Sequence, residues 1–198
     1  MIVSVINLKG GVGKTTSTMA LATEAARDGV PVTVLDADMQ SSASLWRFNA
    51  NEMGIELPFE VRSANLADLR ALRRGVPFEE SLVLVDTPPT GMVTDRAKDV
   101  ADFIVVPTGA SGIDLQQTTT VLDVLESANR PYAVLLVRVE SNTLATKAAR
   151  RYFADRGTPM FETEIPKRAD LSNVYGQRFA SNLHGYEDVY RELKEALG

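Results

Sequence analysis

Five short apolar runs, at residues 2–7, 32–35, 82–85, 103–106 and 133–137, are rich in β-branched side chains and nearly continuous. They do not alternate with polar residues, which is the pattern of strands covered on both faces. Helix-like stretches lie between them, among them 14–28, 114–127 and 143–155. Residues 43–51 and 66–72 predict further helices, and 59–62 an edge strand. Val189, Leu193 and Leu197 fall at i, i+4 and i+8, which predicts an amphipathic helix over Tyr186–Leu197 that caps the domain. Strands alternating with helices imply parallel βαβ units. The expected fold is therefore a doubly wound α/β domain, with a mostly parallel sheet and helices on both faces.

Composition narrows the picture. A chain of 198 residues, 44% hydrophobic and 24% charged, suits one globular domain over 1–198. No window of about 18 apolar residues suggests a membrane span, and residues 1–7 show no basic leader or cleavage site. With no cysteine, a disulfide framework, a cysteine-based zinc site and a cysteine-ligated iron–sulfur cluster are excluded, and a cytoplasmic location is expected. The net charge of −5 is uneven: residues 1–127 hold 10 basic and 17 acidic groups, residues 128–198 hold 11 and 9. A basic face in the last third is compatible with the acidic total.

The strongest chemical signal is Asn7-Leu8-Lys9-Gly10-Gly11-Val12-Gly13-Lys14-Thr15-Thr16, between a strand and a helix. Glycines let backbone N–H groups turn inward, so that they and the helix N-terminus surround phosphate oxygens. Lys14 is placed to reach β- and γ-phosphates, and the Thr15 hydroxyl to ligate Mg²⁺. In open α/β sheets ligands sit beyond the carboxyl ends of the strands, and two predicted strands deliver acids there. One ends in Asp36-Ala37-Asp38-Met39-Gln40, the other in Asp86-Thr87-Pro88-Pro89. Asp86 is the candidate magnesium acid, acting through a water because Mg²⁺ keeps several of its waters. Asp36 has two readings, catalysis or a strand-end acid capping the next turn, and the second is favoured.

The lysine ahead of the glycine pair is the departure from the ordinary phosphate loop, and Leu8 stands where that loop has its first glycine. Lys9-Gly10-Gly11-Val12-Gly13-Lys14-Thr15 resembles the deviant Walker A signature, and the chain is most similar to the ParA partition ATPases. The resemblance implies an Mg²⁺-dependent ATPase with ATP held by residues 9–16. Lys9 would touch the phosphates of a partner's ATP across a homodimer, so Lys9, Lys14 and Asp38 are the catalytic candidates. Asp38 would position the attacking water and join Thr15 and Asp86 around the metal. Met39 departs from the proline usual in that segment. Residues 87–91 would sense the γ-phosphate, and Pro166 and Arg168 would flank the adenine, with Arg168 where relatives often have asparagine.

The family's relatives bind double-stranded DNA without sequence preference, as ATP-bound dimers. Lys147, Arg150, Arg151, Lys167 and Arg178 are the candidates here. The first three lie three and four apart on one side of a predicted helix; a merely solvated helix face is the competing reading. The resemblance further implies a ParB-type adaptor that stimulates hydrolysis, and nucleoid association when ATP is bound. It fits the short form, without an N-terminal helix-turn-helix. A ParA-like ATPase positioning another cargo, such as a protein compartment, has the same chemistry and stays open as an alternative. A membrane-cycling ATPase like MinD is disfavoured, because the last helix has balanced charge and few apolar anchors. An iron–sulfur scaffold lacks its cysteines, metabolic synthetases usually lack the lysine at position 9, and a bacterial tyrosine kinase would carry a tyrosine-rich tail. His184, the sole histidine, and Trp46 are read as structural.

Overall fold

The computed structural model describes residues 1–72 and 80–197. Seven strands form one sheet in the order β3-β2-β4-β1-β5-β6-β7, and every pairing is parallel. The strands are β1 (Ile2–Val5), β2 (Val32–Asp36), β3 (Glu60–Ser63), β4 (Leu82–Asp86), β5 (Phe103–Thr108), β6 (Tyr132–Val139) and β7 (Ile165–Pro166). The five predicted apolar runs are the five central strands. The predicted edge strand is β3, at the margin of the sheet.

Helices α1 (Lys14–Arg27), α2 (Ser42–Glu52), α3 (Leu66–Ala71), α4 (Met92–Val100), α5 (Gly112–Ser127), α6 (Leu144–Arg156), α7 (Ala169–Asn173) and α8 (Tyr186–Leu197) cover the sheet. Successive strand residues point to opposite faces, and the core divides accordingly. Val3 and Val5 join Met19 and Leu21 of α1, Trp46 of α2 and Val189 and Leu193 of α8 in one cluster. Ile6, Ile104 and Val106 pack against Leu122 and Leu125 of α5 and Phe153 of α6. Ile2 and Val85 meet Leu69 of α3 and Ala97 of α4. Thus α1, α2 and α8 cover one face and α3 to α6 the other. The apolar stripe of α8 lies on α1, each fully buried side chain contributing about 1.5–3 kcal/mol.

The sequence pattern did not mark α4. Its buried face is made of Thr94, Ala97 and Val100, too small and too polar to show a helical period. Nor did it mark β7, which has two residues.

The register sets up the site. Val5 of β1 pairs with Asp86 of β4, and Asp86 pairs with Asp36 of β2. Three adjacent strands therefore end level, with two acids side by side where the chain leaves β1 for the glycine loop.

Candidate functional site

The loop between β1 and α1 is built by conformations that only glycine adopts at ease. Gly11 has φ +69° and Gly13, the N-cap of α1, φ +103°. A Cβ at Gly13 would meet nothing nearer than Val137 Cγ2 at 3.7 Å, so backbone angle and not space dictates the residue. Val12 follows a turn at Gly10–Gly11, and among the described residues no acceptor is found for the backbone N–H of Gly10, Gly11, Gly13, Lys14, Thr15 or Thr16. A helix start explains some unpaired donors. A loop rich in them, continuous with that helix start, is a nest for an anion.

Asn7 braces the loop's entrance. Its amide donates to Pro107 O (2.8 Å) and Thr118 Oγ1 (3.1 Å), and its Oδ1 accepts the Lys9 N–H (3.0 Å). Lys14 is buried and donates from Nζ to Lys9 O at 3.1 Å. Burial holds its pKa below the ordinary lysine value, with Asp86 and Asp38 pulling the other way.

Thr15 Oγ1 donates to Asp86 Oδ2 at 2.6 Å. Asp86 is 1% exposed, and its Oδ1 is buried with no partner. Burial pushes its pKa up to about 7. The Thr15 hydrogen bond opposes the rise and neighbouring Asp36 adds to it. A buried carboxylate oxygen without a donor is costly, and a cation removes that cost. Asp86 and Thr15 fit a magnesium ion in this respect. No group of three or more His, Cys, Asp or Glu among the described residues could hold a metal alone.

Asp36 takes the structural role favoured for it. Its Oδ2 accepts the Ser44 N–H (2.7 Å) in the first turn of α2, and its Oδ1 that of Asp38 (3.3 Å). Asp38 is half-buried, and its Oδ1 accepts the Gln40 N–H at 2.9 Å. Asp38 lines a cavity of about 430 Å³ together with Gly10, Lys14, Thr15 and Trp46. Met39 points outward, 97% exposed.

A second cavity of about 250 Å³ shares Gly11, Gly13 and Thr16 with the first and is walled by Pro166, Arg168 and Tyr186. The structure therefore brings the loop, Asp38, Pro166 and Arg168 around adjoining hollows, one at the loop and one beside β7.

Lys9 is engaged within its own chain, with Nζ 2.6 Å from Asp114 Oδ1. The sequence reading assigned Asp114 no role. Its signal was the Ser111-x-x-Asp114 capping box that opens α5.

The basic candidates lie on several elements and have different partners. Lys147, Arg150 and Arg151 lie on α6, but Arg150 is paired with Glu164 and Lys167 with Glu140. Arg151 faces Asp155 at 3.4 Å, both highly exposed. Arg178 lies apart from them, donating to Glu56 O ahead of β3. His184 pairs with Asp170. Trp46 is buried, stacked on Phe179 with its Nε1 donating to Gln177 O.

Comparison with known proteins agrees with this geometry. The profile of the CobQ/CobB/MinD/ParA nucleotide binding domain matches residues 3–178. The chain is 36% identical over 208 residues to the maintenance of carboxysome distribution protein A of Gloeobacter kilaueensis, covering 99% of this chain and 93% of that one. It is 28% identical to the chromosome-partitioning ATPase Soj of Thermus thermophilus, covering 98% and 97%. Among solved structures, apo McdA from Cyanothece superposes with a TM-score of 0.78 over 100% of this chain and 99% of that one, at 17% identity. An ATP complex of a McdA variant from Cyanothece gives 0.74 over 100% and 96%, at 18% identity.

Proposed function

Because the chain belongs to the CobQ/CobB/MinD/ParA nucleotide-binding domain family, we propose that it is a ParA-like positioning ATPase, which uses an ATP-driven switch to distribute a cargo. The single observation that carries the nucleotide reading is the glycine loop whose amides at residues 10, 11 and 13–16 lack acceptors among the described residues, joined through Thr15 to the buried Asp86, whose Oδ1 has no partner there. One arrangement offers donors to phosphate and a carboxylate to its metal.

ATP is the nucleotide favoured, since a structural neighbour holds it. Magnesium, when bound, would neutralise charge developing on the phosphates. The chain's own part is to hold and orient. The amides and Lys14 grip the phosphates, Thr15 and Asp86 hold the metal shell, Asp38 orients the water, and Pro166 and Arg168 border the base. ATP closes two copies face to face, with Lys9 reaching the partner's phosphates, and the dimer binds DNA without sequence preference. An adaptor on the cargo then stimulates hydrolysis and resets the switch.

Sequence reasoning put plasmid or chromosome partition first and another cargo second. The 36% relative, named for carboxysome distribution, supports the reverse order. Partition through a ParB-type adaptor is retained as the second reading because Soj is also similar. A MinD-like membrane cycle is not favoured. The apolar face of α8 lies on α1, and among the described residues no helix is long and apolar enough to cross a membrane.

Trp46, the sole tryptophan, lines the loop cavity and supplies the test. Its fluorescence is expected to change on titration with Mg-ATP, and Lys14→Ala is expected to abolish the change. Saturable ATP binding by Lys14→Ala at wild-type affinity would refute the site. A mobility assay on unrelated DNA, with ATP, ADP or neither, then tests the switch, and binding that ignores the nucleotide would refute it.

A further inference from the structure

Arg138 is the one arginine among the described residues with a positive φ, +55°. The left-handed region costs a branched or bulky residue roughly 1–2 kcal/mol and is otherwise left to Gly, Asn and Asp. The strain has a structural cause. Val137 pairs with Ile165 and Val139 with Pro166, so β6 advances two residues where β7 advances one, and Arg138 is the extra residue of a bulge. Bulges beside functional sites re-aim a side chain. Here the guanidinium is aimed back across the sheet edge, where Nη2 donates to Gly11 O at 2.5 Å, 127 residues away in sequence. Arg138 also lines the cavity beside the loop, together with Tyr186 and Arg168.

Gly11 O is the only carbonyl of residues 10–12 for which an acceptor role is seen among the described residues, and its peptide carries the Val12 N–H, which closes the turn at Gly10–Gly11 at the heart of the loop. All peptides are trans among the described residues. In a trans peptide the C=O and N–H point to opposite sides, so a carbonyl held by Arg138 fixes the direction of that donor. A guanidinium has five N–H donors, which leaves others for the wall of the cavity that adjoins the loop at Gly11 and Gly13.

We propose that Arg138 is a positioning residue for nucleotide phosphates: it pins the Gly11–Val12 peptide so that the loop's amides are set before the ligand arrives. The inference rests on the nucleotide reading above and extends it to a residue outside the glycine-loop signature. The bulge strain is maintained because the side chain has this task.

Three variants and two ligands test it. Arg138→Ala removes the contact, Arg138→Lys keeps the charge without the planar fork, and Arg138→Gly removes the contact while relieving the backbone. Affinity for Mg-ADP and for adenosine is measured by calorimetry, with melting temperature of the ligand-free protein alongside. Arg138→Ala and Arg138→Gly are expected to bind Mg-ADP about tenfold more weakly, as for loss of one charged hydrogen bond, and Arg138→Lys to recover part of the loss. Adenosine affinity is expected to stay the same, and Arg138→Gly to melt no lower than the parent. Unchanged Mg-ADP affinity in Arg138→Gly would overturn the proposal, as would an equal loss for adenosine. Failure of the parent protein to bind Mg-ADP would instead overturn the nucleotide reading itself.

Discussion

Lys9 and Asp114, 105 residues apart in sequence, form an ion pair of 2.6 Å inside one chain. The carboxylate is held from several sides. Ser111 donates to it from both its hydroxyl and its N–H, and Lys9 and Ser111 together keep its pKa below the ordinary aspartate value against the opposing effect of burial. A Cβ on Gly109 would come within 2.6 Å of Asp114 Oδ2, so glycine is what lets the carboxylate sit there. A lysine that is to reach a partner's phosphate must first leave this carboxylate. If closure brings Lys9 to the partner, each pair would oppose it by about 1 kcal/mol, given that Lys9 is 35% exposed. Two such pairs break per dimer, so Asp114→Asn is expected to tighten the ATP dimer by up to about thirtyfold in analytical ultracentrifugation. In a Lys9→Gln background the same change is expected to do nothing. A weaker ATP dimer in Asp114→Asn would show that Asp114 serves closure and does not compete with it.

Asp86 makes the site pH-dependent. Its folded pKa is raised from 3.8 to about 7, so between those values the folded chain keeps a proton that the unfolded chain has lost. Stability of the ligand-free protein should then fall as pH rises from about 4 to about 7, by about 1.4 kcal/mol per pH unit at most. Asp86→Asn should flatten that slope. The metal replaces the proton, so Mg-nucleotide affinity should rise with pH towards 7 and then level off. Calorimetry in buffers of different ionisation enthalpy reads the released proton directly. Affinity independent of pH from 5.5 to 8 would contradict the assignment of Asp86.

The parts legible in the sequence are those where one local pattern has one physical cause. Strands β1, β2, β4, β5 and β6 are covered on both faces, and their apolar runs say so. The loop announces itself because its glycines and lysines must stand at fixed offsets. Asp36 was read as a strand-end acid capping the next turn, and its Oδ2 accepts the Ser44 N–H in the first turn of α2. What stayed hidden depends on pairs far apart in the chain. Nothing local to Asp114 names Lys9, and nothing in the run Val137-Arg138-Val139 betrays a bulge whose partner strand has two residues. The basic cluster looked like a patch because sequence counts charges. The structure then pairs Arg150 with Glu164 and Lys167 with Glu140 and sends Arg178 elsewhere.

That pairing sharpens the DNA experiment. Lys147 makes no ion pair among the described residues, and the Arg151–Asp155 contact is long and exposed. These two side chains of α6 are the ones free to meet phosphate. Lys147→Glu combined with Arg151→Glu is expected to weaken ATP-dependent binding to arbitrary DNA and to lower the salt slope by about 2. ATP hydrolysis without DNA should not change. Arg178→Glu should leave DNA affinity alone, because its guanidinium anchors Glu56 O. Equal losses in both variants would move the interface away from α6.

Asp38 is the last link, because its carboxylate does two things that can be separated. Its Oδ1 accepts the Gln40 N–H and so shapes the loop after β2, while its other oxygen accepts no hydrogen bond among the described residues and, on the proposed reading, orients a water in the cavity shared with Lys14 and Thr15. An asparagine keeps the accepting oxygen and the turn but loses the charge; an alanine loses both. Binding is expected to survive in Asp38→Asn and Asp38→Ala alike, since neither touches the amides of residues 10–16. Single-turnover hydrolysis is expected to fall about a hundredfold or more in both, the range for loss of a positioned proton acceptor. Both variants should then accumulate as ATP-bound dimers that do not reset. If Asp38→Asn hydrolyses ATP at the parent rate while Asp38→Ala does not, the residue's contribution is the turn and the water is oriented by another group.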